Sequence, residues 1–284
     1  MTPRPPLTAW TRTFALLGDP VSHSLSPVIQ NAAMESAEVD GVYVALQVNA
    51  EELRGLMRSL ALAGGGGNVT LPHKERAAAA VDHASEAVRR TGACNTFWAK
   101  AGKVHGDNTD VEGLRRAIHT HLQGPISGGR VLILGAGGAA RAALAAVLDD
   151  GAAEVEIHNR TVERARAVAR RMGGPRTRVV ESRGELQGRS YDLVLNATRL
   201  GLVDTDPLPL EVTGEVTMGA LLDLVYTPGE TEWVRRARAQ GIPAMDGGEM
   251  LVQQGAVAFE RWFGVPGPVD VMRAELERLR LHAG

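Results

Sequence analysis

Lys74 stands where a lysine side chain could transfer a proton. It follows Pro72 in the segment NVTLPHKE and falls in the expected first turn of a helix that continues through four alanines. The positive end of the helix dipole disfavours the ammonium form, which suits exchange of a proton with a ligand. An exposed surface lysine, the commonest state of this residue type, explains the same pattern.

Other polar side chains stand at expected strand ends or helix starts, where open α/β sheets bind ligands. They are Ser24, Ser26, Thr70, Asn95 and Asp110. Ser26 and Asp110 also suit the N-cap of a following helix, and Asn95 could satisfy the backbone of a hairpin. Ser24 has no local structural role in the pattern, so we expect it to bind a carboxylate or a polyol.

Gln254 belongs to a C-terminal segment with helical spacing. It shares one predicted face with Met250 and Ala258, and Phe259 and Trp262 lie beside that face. A buried amide that lacks partners costs about 1–3 kcal/mol. We therefore expect a polar ligand to contact Gln254 and the segment to pack back on the N-terminal domain.

The segment GAGGAA begins a candidate nucleotide site. It follows the apolar run 131–134 and precedes an alanine-rich helix, which is the order that a dinucleotide-binding turn requires. Glycines in this turn admit a pyrophosphate to backbone N–H groups at the helix start. A plain glycine turn is the weaker alternative. The candidate cofactor residues here are Gly135, Ala136, Gly137, Gly138 and Ala139.

The residues after the next strand distinguish NADP from NAD. An NAD site carries a carboxylate there for the ribose 2′-hydroxyl, whereas this chain has Asn159, Arg160 and Thr161, with Arg164 one turn later. Guanidinium groups bind a 2′-phosphate through charge-assisted hydrogen bonds. The pattern predicts NADP, although a solvated helix face also explains Arg164.

Alternating apolar runs and helical stretches predict an α/β fold. Strands are expected at 13–18, 42–48 and 68–71, and a two-residue turn within Lys100 to Lys103 would pair positions whose numbers sum to 203, so that Asn95 faces Asn108. From Arg130 six further apolar runs predict a complete doubly wound Rossmann-type sheet. The first sheet should be mostly parallel.

Length and composition agree with two globular domains in one chain of 284 residues. We expect a substrate domain at 1–112, an NADP domain at 113–245, and helices at 246–284 that return to the first domain. The net charge is −2 with no basic stripe, which disfavours nucleic acid as a partner. Cys94 is the only cysteine, so an internal disulfide is excluded and a metal is not expected. No apolar run reaches membrane length, and cytoplasm is the expected compartment.

Nine segments appear in the order and spacing of the shikimate dehydrogenase family, and the resemblance extends from residue 18 to residue 262. The segments are HSLSP, NVTLPHKE, GACNT, GDNTD, GAGGAA, NRT, NAT, DLVYTP and MLVQQGA. The resemblance implies reversible NADPH-dependent reduction of 3-dehydroshikimate to shikimate in aromatic amino-acid biosynthesis. We expect a monomer or a homodimer.

The resemblance also implies the roles of individual residues. Lys74 and Asp110 form the catalytic pair, in which the carboxylate orients the ammonium group. The carboxylate of shikimate binds Ser24 and Ser26 with help from Tyr226. Its ring hydroxyls bind Thr70, Lys74, Asn95, Asp110 and Gln254. The nicotinamide lies near Asn196, Thr198 and Gly248.

Two features depart from the family pattern. Gly67 replaces a larger apolar residue, and the run 64–67 predicts a mobile backbone that positions Thr70 less firmly. Arg199 follows NAT where family members often carry a small hydroxyl residue; it would add a cation near the cofactor or gate the cleft between the domains.

Three alternatives stay open at this point. The first is a quinate/shikimate dehydrogenase that uses NAD, which Arg160 disfavours. The second is a methylenetetrahydrofolate dehydrogenase of the same two-domain build, which the paired serines disfavour. The third is a non-catalytic NADP sensor or scaffold, which the presence of both Lys74 and Asp110 disfavours.

Overall fold

The computed structural model describes residues 7–203, 205–214, 216–227 and 229–283, so residues 1–6 and 284 of the expected domains lie outside the described residues. The chain forms two compact units. Unit 1 consists of Met1–Thr109 and Leu251–Leu281, and unit 2 consists of Asp110–Met250 with His282–Gly284. The division falls in the first turns of two helices, at Asp110 and at Leu251.

The first half of the chain alternates short strands and helices. Its elements are β1 (Arg12–Gly18), α1 (Ser26–Ser36), β2 (Gly41–Gln47), α2 (Leu53–Leu62), β3 (Gly66–Val69), α3 (Lys74–Ala80), β4 (His83–Ala84), α4 (Glu86–Thr91), β5 (Thr96–Lys100), β6 (Lys103–Asp107) and α5 (Thr109–Leu122). The strands form one sheet in the order β2-β1-β3-β5-β6-β4. β1 is parallel to β2 and β3, β4 is parallel to β6, and β5 is antiparallel to both of its neighbours.

The second half continues the alternation and ends in two longer helices. Its elements are β7 (Arg130–Leu134), α6 (Gly138–Asp149), β8 (Glu154–His158), α7 (Val162–Val168), a π-helix (Ala169–Gly173), a 3-10 helix (Gly174–Arg176), β9 (Thr177–Val180), a second 3-10 helix (Arg183–Leu186), β10 (Arg189–Tyr191), β11 (Leu193–Asn196), β12 (Val216–Met218), β13 (Leu221–Asp223), α8 (Glu232–Ala239), β14 (Ala244–Met245), α9 (Gly248–Phe263) and α10 (Val269–Ala283). β10 and β12 form a separate two-stranded sheet.

The sheet of unit 2 confirms the predicted doubly wound fold. Its six strands are all parallel and lie in the order β14-β13-β11-β7-β8-β9, so the chain starts in the middle and reverses direction between β7 and β11. Val131 and Ile133 face a core with α5, α6 and α7, whereas Leu132 faces a second core that contains Trp233 of α8. Helices therefore cover both faces. The carboxyl ends of β7 and β11 form the switch point at which such sheets bind ligands.

The glycine run in unit 1 is a point of close backbone approach, so the predicted mobile backbone is wrong. β3 begins at Gly66, two residues before the predicted strand start, and Gly65 to Gly67 are buried. A Cβ at Gly65 or Gly67 would overlap a backbone carbonyl of β1. Glycine lets these two strands meet, and the resulting ladder holds the segment in place.

The hairpin in unit 1 has the predicted register. Thr96 pairs with Asp107 and Lys100 pairs with Lys103, so paired residues sum to 203. The turn residues Ala101 and Gly102 have φ of 51° and 72°, the left-handed pair that a two-residue hairpin turn requires. This register places Asn95 and Asn108 one residue beyond the last pair.

The C-terminal helices return to unit 1, as predicted. The ring of Trp262 lies 4.9 Å from that of Phe14 on β1. Arg261 Nε donates to Asp107 Oδ2 at 2.7 Å, which ties α9 to the end of β6. No helix in the described ranges is both long enough and apolar enough to span a bilayer.

Candidate active site

The two serines of unit 1 lie in the loop between β1 and α1. Helix α1 begins at Ser26 with Leu25 in the N-cap position, so the predicted N-cap role of Ser26 is wrong by one residue. Ser24 Oγ accepts a hydrogen bond from the backbone N of Ser26 at 3.2 Å. Ser24 therefore has a local structural role that the pattern did not predict, and this bond orients both hydroxyl-bearing residues at the carboxyl end of β1.

Thr70 is held firmly, in contrast to the prediction drawn from the glycine run. Its backbone N donates to Leu17 O at 2.8 Å, and His73 N donates to Thr70 O at 2.9 Å. A Cβ at Gly18 would overlap the Thr70 methyl group, so the end of β1 packs directly against this side chain. The turn between β3 and α3 is fixed on both sides.

Lys74 is the first residue of α3 and is partly buried, so the fully exposed alternative does not describe it. Its carbonyl accepts a hydrogen bond from Cys94 N at 2.9 Å. The preceding His73 is buried, and its Nε2 lies 2.8 Å from Val48 O. These bonds place the backbone of Lys74 beside the segment that carries Asn95.

Asn95 is buried, and its carboxamide oxygen lies within hydrogen-bond distance of three donor groups. Oδ1 accepts from Thr109 N at 2.7 Å and lies 3.1 Å from Thr109 Oγ1 and 3.0 Å from Thr96 Oγ1. Asn95 thus binds the first residue of α5. Asp110 is the second residue of that helix and is only 5% exposed, so its predicted N-cap role is wrong and its carboxylate belongs to the first turn.

Gln254 has a closer partner than the sequence suggests. Its Nε2 donates to Leu251 O at 2.9 Å, and the residue is partly exposed, whereas the neighbouring Gln253 is buried. The cost of a buried amide without partners therefore does not apply to Gln254. Its place near the start of α9 still leaves it a candidate for ligand binding.

The glycine-rich turn of unit 2 has room for a ligand on one side and packs tightly on the other. Gly135 has φ of 118°, and a Cβ there would lie 2.8 Å from Ala197 O at the end of β11. A Cβ at Gly137 would meet no protein atom within 4 Å. Helix α6 begins at Gly138 without a side-chain cap, so its first N–H groups are available for an anion. This turn fits a pyrophosphate.

The turn after β8 carries the residues predicted to select NADP. Asn159 Nδ2 donates to Thr161 O at 2.8 Å, which closes the turn before α7. Arg160 and Arg164 are exposed, and within the described ranges neither guanidinium has a hydrogen bond or ion pair. Arg166, two residues after Arg164, pairs instead with Glu181. The two exposed guanidinium groups fit a phosphate.

Asn196 lies at the switch point but bonds only inward. Its Oδ1 accepts from Thr198 N at 3.0 Å and from Thr198 Oγ1 at 2.7 Å, and its Nδ2 donates to Leu200 O and to Asp223 Oδ1 at 2.9 and 2.8 Å. Asn196 is fully buried. It shapes the loop that follows β11, in which Thr198 and Leu200 are partly exposed.

Asp223 at the end of β13 was not predicted as a site residue. It is fully buried, and this burial raises the pKa of its carboxyl to about 6, although hydrogen bonds from Val225 N, Thr231 and Asn196 act in the opposite direction. Tyr226, three residues later, is partly buried. Gly248 begins α9, and its N donates to Asp246 Oδ1 at 2.9 Å.

Comparisons with known proteins identify the family of this chain. Three family models match: the shikimate dehydrogenase substrate binding domain at residues 16–97, shikimate / quinate 5-dehydrogenase at 118–200, and the shikimate 5′-dehydrogenase C-terminal domain at 247–277. Shikimate dehydrogenase (NADP(+)) of Rubrobacter xylanophilus is 42% identical over 96% of this chain and 98% of its own length. The Methanopyrus kandleri protein of the same description is 40% identical over 96% and 97%. The chain belongs to the shikimate dehydrogenase family.

A solved structure extends the comparison to the whole fold. Shikimate 5-dehydrogenase from Thermus thermophilus, in complex with NADP(H) and shikimate, matches with a TM-score of 0.85 and 38% identity over 94% of this chain and 99% of that chain. Membership of the shikimate dehydrogenase family makes this chain an oxidoreductase, and the relatives use NADP. Among the described residues no group of three or more His, Cys, Asp or Glu side chains could hold a metal ion.

Several buried polar residues that contact candidate site residues were not predicted from the sequence. They are Tyr43, Asn68, Thr96 and Thr109 in unit 1 and Asp223 in unit 2. Asn68 gave a signal, because it is a polar residue within a short buried strand and belongs to the same motif as Thr70. Thr109 belongs to the same motif as Asp110, but its role depends on a contact with Asn95, fourteen residues away, which the motif does not indicate.

Proposed function

We propose that this protein catalyses the reversible NADPH-dependent reduction of 3-dehydroshikimate to shikimate, with Lys74 and Asp110 as the catalytic pair. One observation carries the residue assignment. The consecutive residues Cys94 and Asn95 bind two separate segments, since Cys94 N bonds to Lys74 O and Asn95 Oδ1 bonds to Thr109 N. The residue that follows Thr109 is Asp110, so the two candidate catalytic residues are attached to one short stretch of chain.

The chemistry assigned to these residues is proton transfer. NADPH, when bound, supplies the hydride that reduces the carbonyl carbon. Lys74 Nζ donates a proton to the carbonyl oxygen, so that the C=O double bond becomes CH–OH, and it takes the proton back in the reverse direction. The Asp110 carboxylate orients the ammonium group and stabilises its positive charge.

The remaining residues of the substrate site bind the substrate and orient it. Ser24 and Ser26 hold the substrate carboxylate through their hydroxyl groups, with Tyr226 as a third donor. Thr70, Asn95 and Gln254 bind the ring hydroxyls. Ser24 lies in the loop between β1 and α1, and the other unit 1 residues of this set lie at a strand end or in the first two turns of a helix, where open α/β sheets bind ligands.

The cofactor residues divide by the part of NADPH that they bind. Backbone N–H groups in the segment from Gly135 to Ala139 bind the pyrophosphate, supported by the room beside Gly137. Arg160, Arg164 and Thr161 bind the 2′-phosphate, and Asn159 shapes their turn. Thr198 and Gly248 border the nicotinamide, and Asn196 positions Thr198.

The domain roles and the setting follow from the same proposal. Residues 1–112 bind the substrate, residues 113–245 bind NADP, and the helices of 246–284 complete the substrate domain. We place the enzyme in the cytoplasm as a monomer or a homodimer. Light scattering of the purified protein would settle the oligomeric state, and a mass of three or more chains would contradict it.

The central test is an assay of shikimate and quinate, each with NADP and with NAD. Lys74→Ala should lower kcat about a hundredfold or more with a smaller change in KM, because proton transfer contributes at least this factor. Lys100→Ala, an exposed lysine at the hairpin turn, serves as the matched control and should leave kcat unchanged. Equal losses in both variants, or no activity of the unaltered protein on shikimate, would contradict the proposal.

A second experiment tests the choice between NADP and NAD. Arg160→Ala and Arg164→Ala should weaken NADPH binding about tenfold each and leave NADH binding unchanged, since only NADPH carries the 2′-phosphate. Arg166→Ala is the control, because its guanidinium already pairs with Glu181. Preference for quinate with NAD would instead favour the quinate/shikimate alternative, which the description of the central family model leaves open.

A further inference from the structure

A line of buried polar side chains crosses the sheet of unit 1 and ends at Asn95. It comprises Tyr43 on β2, Asn68 on β3, Thr96 on β5 and Thr109 at the start of α5, and we refer to these four residues as the Asn95 relay. All four are at most 6% exposed. Buried polar groups are costly unless every member is satisfied, so such a line requires a specific arrangement of donors and acceptors.

The hydrogen bonds of the relay converge on Asn95. Tyr43 OH donates to Asn68 Oδ1 at 2.8 Å, because the other end of the Asn68 amide must be the nitrogen that faces the Asn95 carbonyl, a group that can only accept. Asn68 Nδ2 then donates to Asn95 O at 3.0 Å and to Thr96 Oγ1 at 2.9 Å. Because the Thr96 oxygen accepts from Asn68, its single hydrogen is directed onward, to Asn95 Oδ1 or to Thr109 Oγ1.

The relay fixes the orientation of the Asn95 carboxamide. Oδ1 accepts from Thr109 N, which can only donate, and lies within hydrogen-bond distance of the hydroxyl groups of Thr96 and Thr109, so a flipped amide would turn Nδ2 toward the Thr109 N–H group. The flipped state is therefore excluded by hydrogen-bond chemistry. The Asn95 nitrogen must face away from the relay.

We infer that Tyr43, Asn68, Thr96 and Thr109 are positioning residues that present the Asn95 amide to the substrate only as a hydrogen-bond donor. This inference rests on the proposed function. The same bonds hold Thr109 N at the start of α5 and so set the backbone of the adjacent Asp110. The relay thereby links a ring-hydroxyl contact to the first turn that carries the catalytic carboxylate.

Thr96→Val is the sharpest test, because valine keeps the shape of threonine and loses only the hydroxyl group. It should raise the Kd of shikimate, measured calorimetrically without cofactor, about tenfold, which is the loss of one well-placed hydrogen bond. It should lower kcat about tenfold as well, through Asp110, and leave the Kd of NADPH unchanged. Thr96→Ser restores the hydroxyl and should return the Kd of shikimate to within about twofold of the original.

A matched control separates positioning from general loss of a buried hydroxyl. Thr91→Val removes an equally buried hydroxyl, whose bonds run to the carbonyls of Ala87 and Ala93 and to the amide of Asn108. It should leave the Kd of shikimate within about twofold. Equal increases in Thr91→Val and Thr96→Val, or no rescue by Thr96→Ser, would overturn the inference.

Tyr43→Phe tests the far end of the relay and keeps the test decisive if Thr96→Val does not fold. Without the Tyr43 hydroxyl the buried Asn68 Oδ1 loses its donor and the Asn68 side chain is held less firmly against Asn95 and Thr96, so the Kd of shikimate should rise about threefold to fivefold. An unchanged Kd in this variant overturns the inference. If the unaltered protein neither binds nor oxidises shikimate, the proposed function fails and the relay has no substrate to serve, which is distinct from the failure of the relay in an active enzyme.

Discussion

Replacing Asp223 by asparagine should change how the stability of unit 2 depends on pH. Asp223 is fully buried at the end of β13 and accepts hydrogen bonds from Asn196, Val225 and Thr231. Burial, with a smaller contribution from the charge of Asp246, raises the pKa of its carboxyl from 3.8 to about 6. The folded state therefore binds the proton more tightly than the unfolded state does.

The sign and size follow from this difference. Because the folded pKa is raised, the stability contributed by the protonated Asp223 is fully present below the unfolded value of 3.8 and is lost as pH rises through about 6. The difference of about 2 between the two pKa values corresponds to roughly 3 kcal/mol, as an upper value, since a pKa difference of 1 is worth about 1.36 kcal/mol. Asparagine carries no charge, so its contribution does not change with pH. The free energy of unfolding of Asp223→Asn, relative to that of the unaltered protein, should therefore rise by up to about 3 kcal/mol as the pH rises from about 4 to about 7.

Hydrogen exchange on peptides that cover β11 and β13 measures the opening free energy where the change occurs. The opening free energy of the unaltered protein is subtracted from that of the variant at each pH, so that the contributions of other titrating groups cancel. Glu163→Gln, which removes an exposed carboxylate of the same unit, is the control and should show no pH-dependent difference. A difference for Asp223→Asn that stays constant with pH, or that falls as pH rises, would refute the reasoning.

Three further predictions concern the glycines and the cysteine. Gly135→Ala should lower both the melting temperature and the affinity for NADPH, because its Cβ would meet a backbone oxygen at 2.8 Å. Gly137→Ala should lower the affinity for NADPH alone, because its Cβ would meet no protein atom within 4 Å. Equal melting temperatures of the two variants would contradict this prediction. Gly67→Ala should yield little folded protein, judged by circular dichroism, because its Cβ overlaps a β1 carbonyl. Cys94, whose thiol pKa burial raises to about 12, should resist a thiol reagent at about pH 8 until the protein unfolds, and rapid native labelling would disprove this.

The architecture was readable from local pattern. Apolar runs alternating with helical stretches predicted the parallel sheet of unit 2, and the run that precedes Gly135 located the nucleotide turn, because strand, glycine turn and helix start are adjacent in the chain. The register of the hairpin also followed from sequence, since a two-residue turn leaves only one way to pair its strands. The family motifs indicated which polar residues to consider.

The tertiary structure decided what those residues can do. Gly64 to Gly67 suggested a mobile backbone, but a neighbouring strand makes part of the run a rigid contact. Asn95 became a polarised donor only through Tyr43, Asn68, Thr96 and Thr109, which come from four separate elements. The raised pKa of Asp223 likewise depends on burial by residues distant in sequence. Hydrogen-bond direction and desolvation are properties of the assembled surroundings of a group, so sequence can nominate a side chain while only packing determines its chemistry.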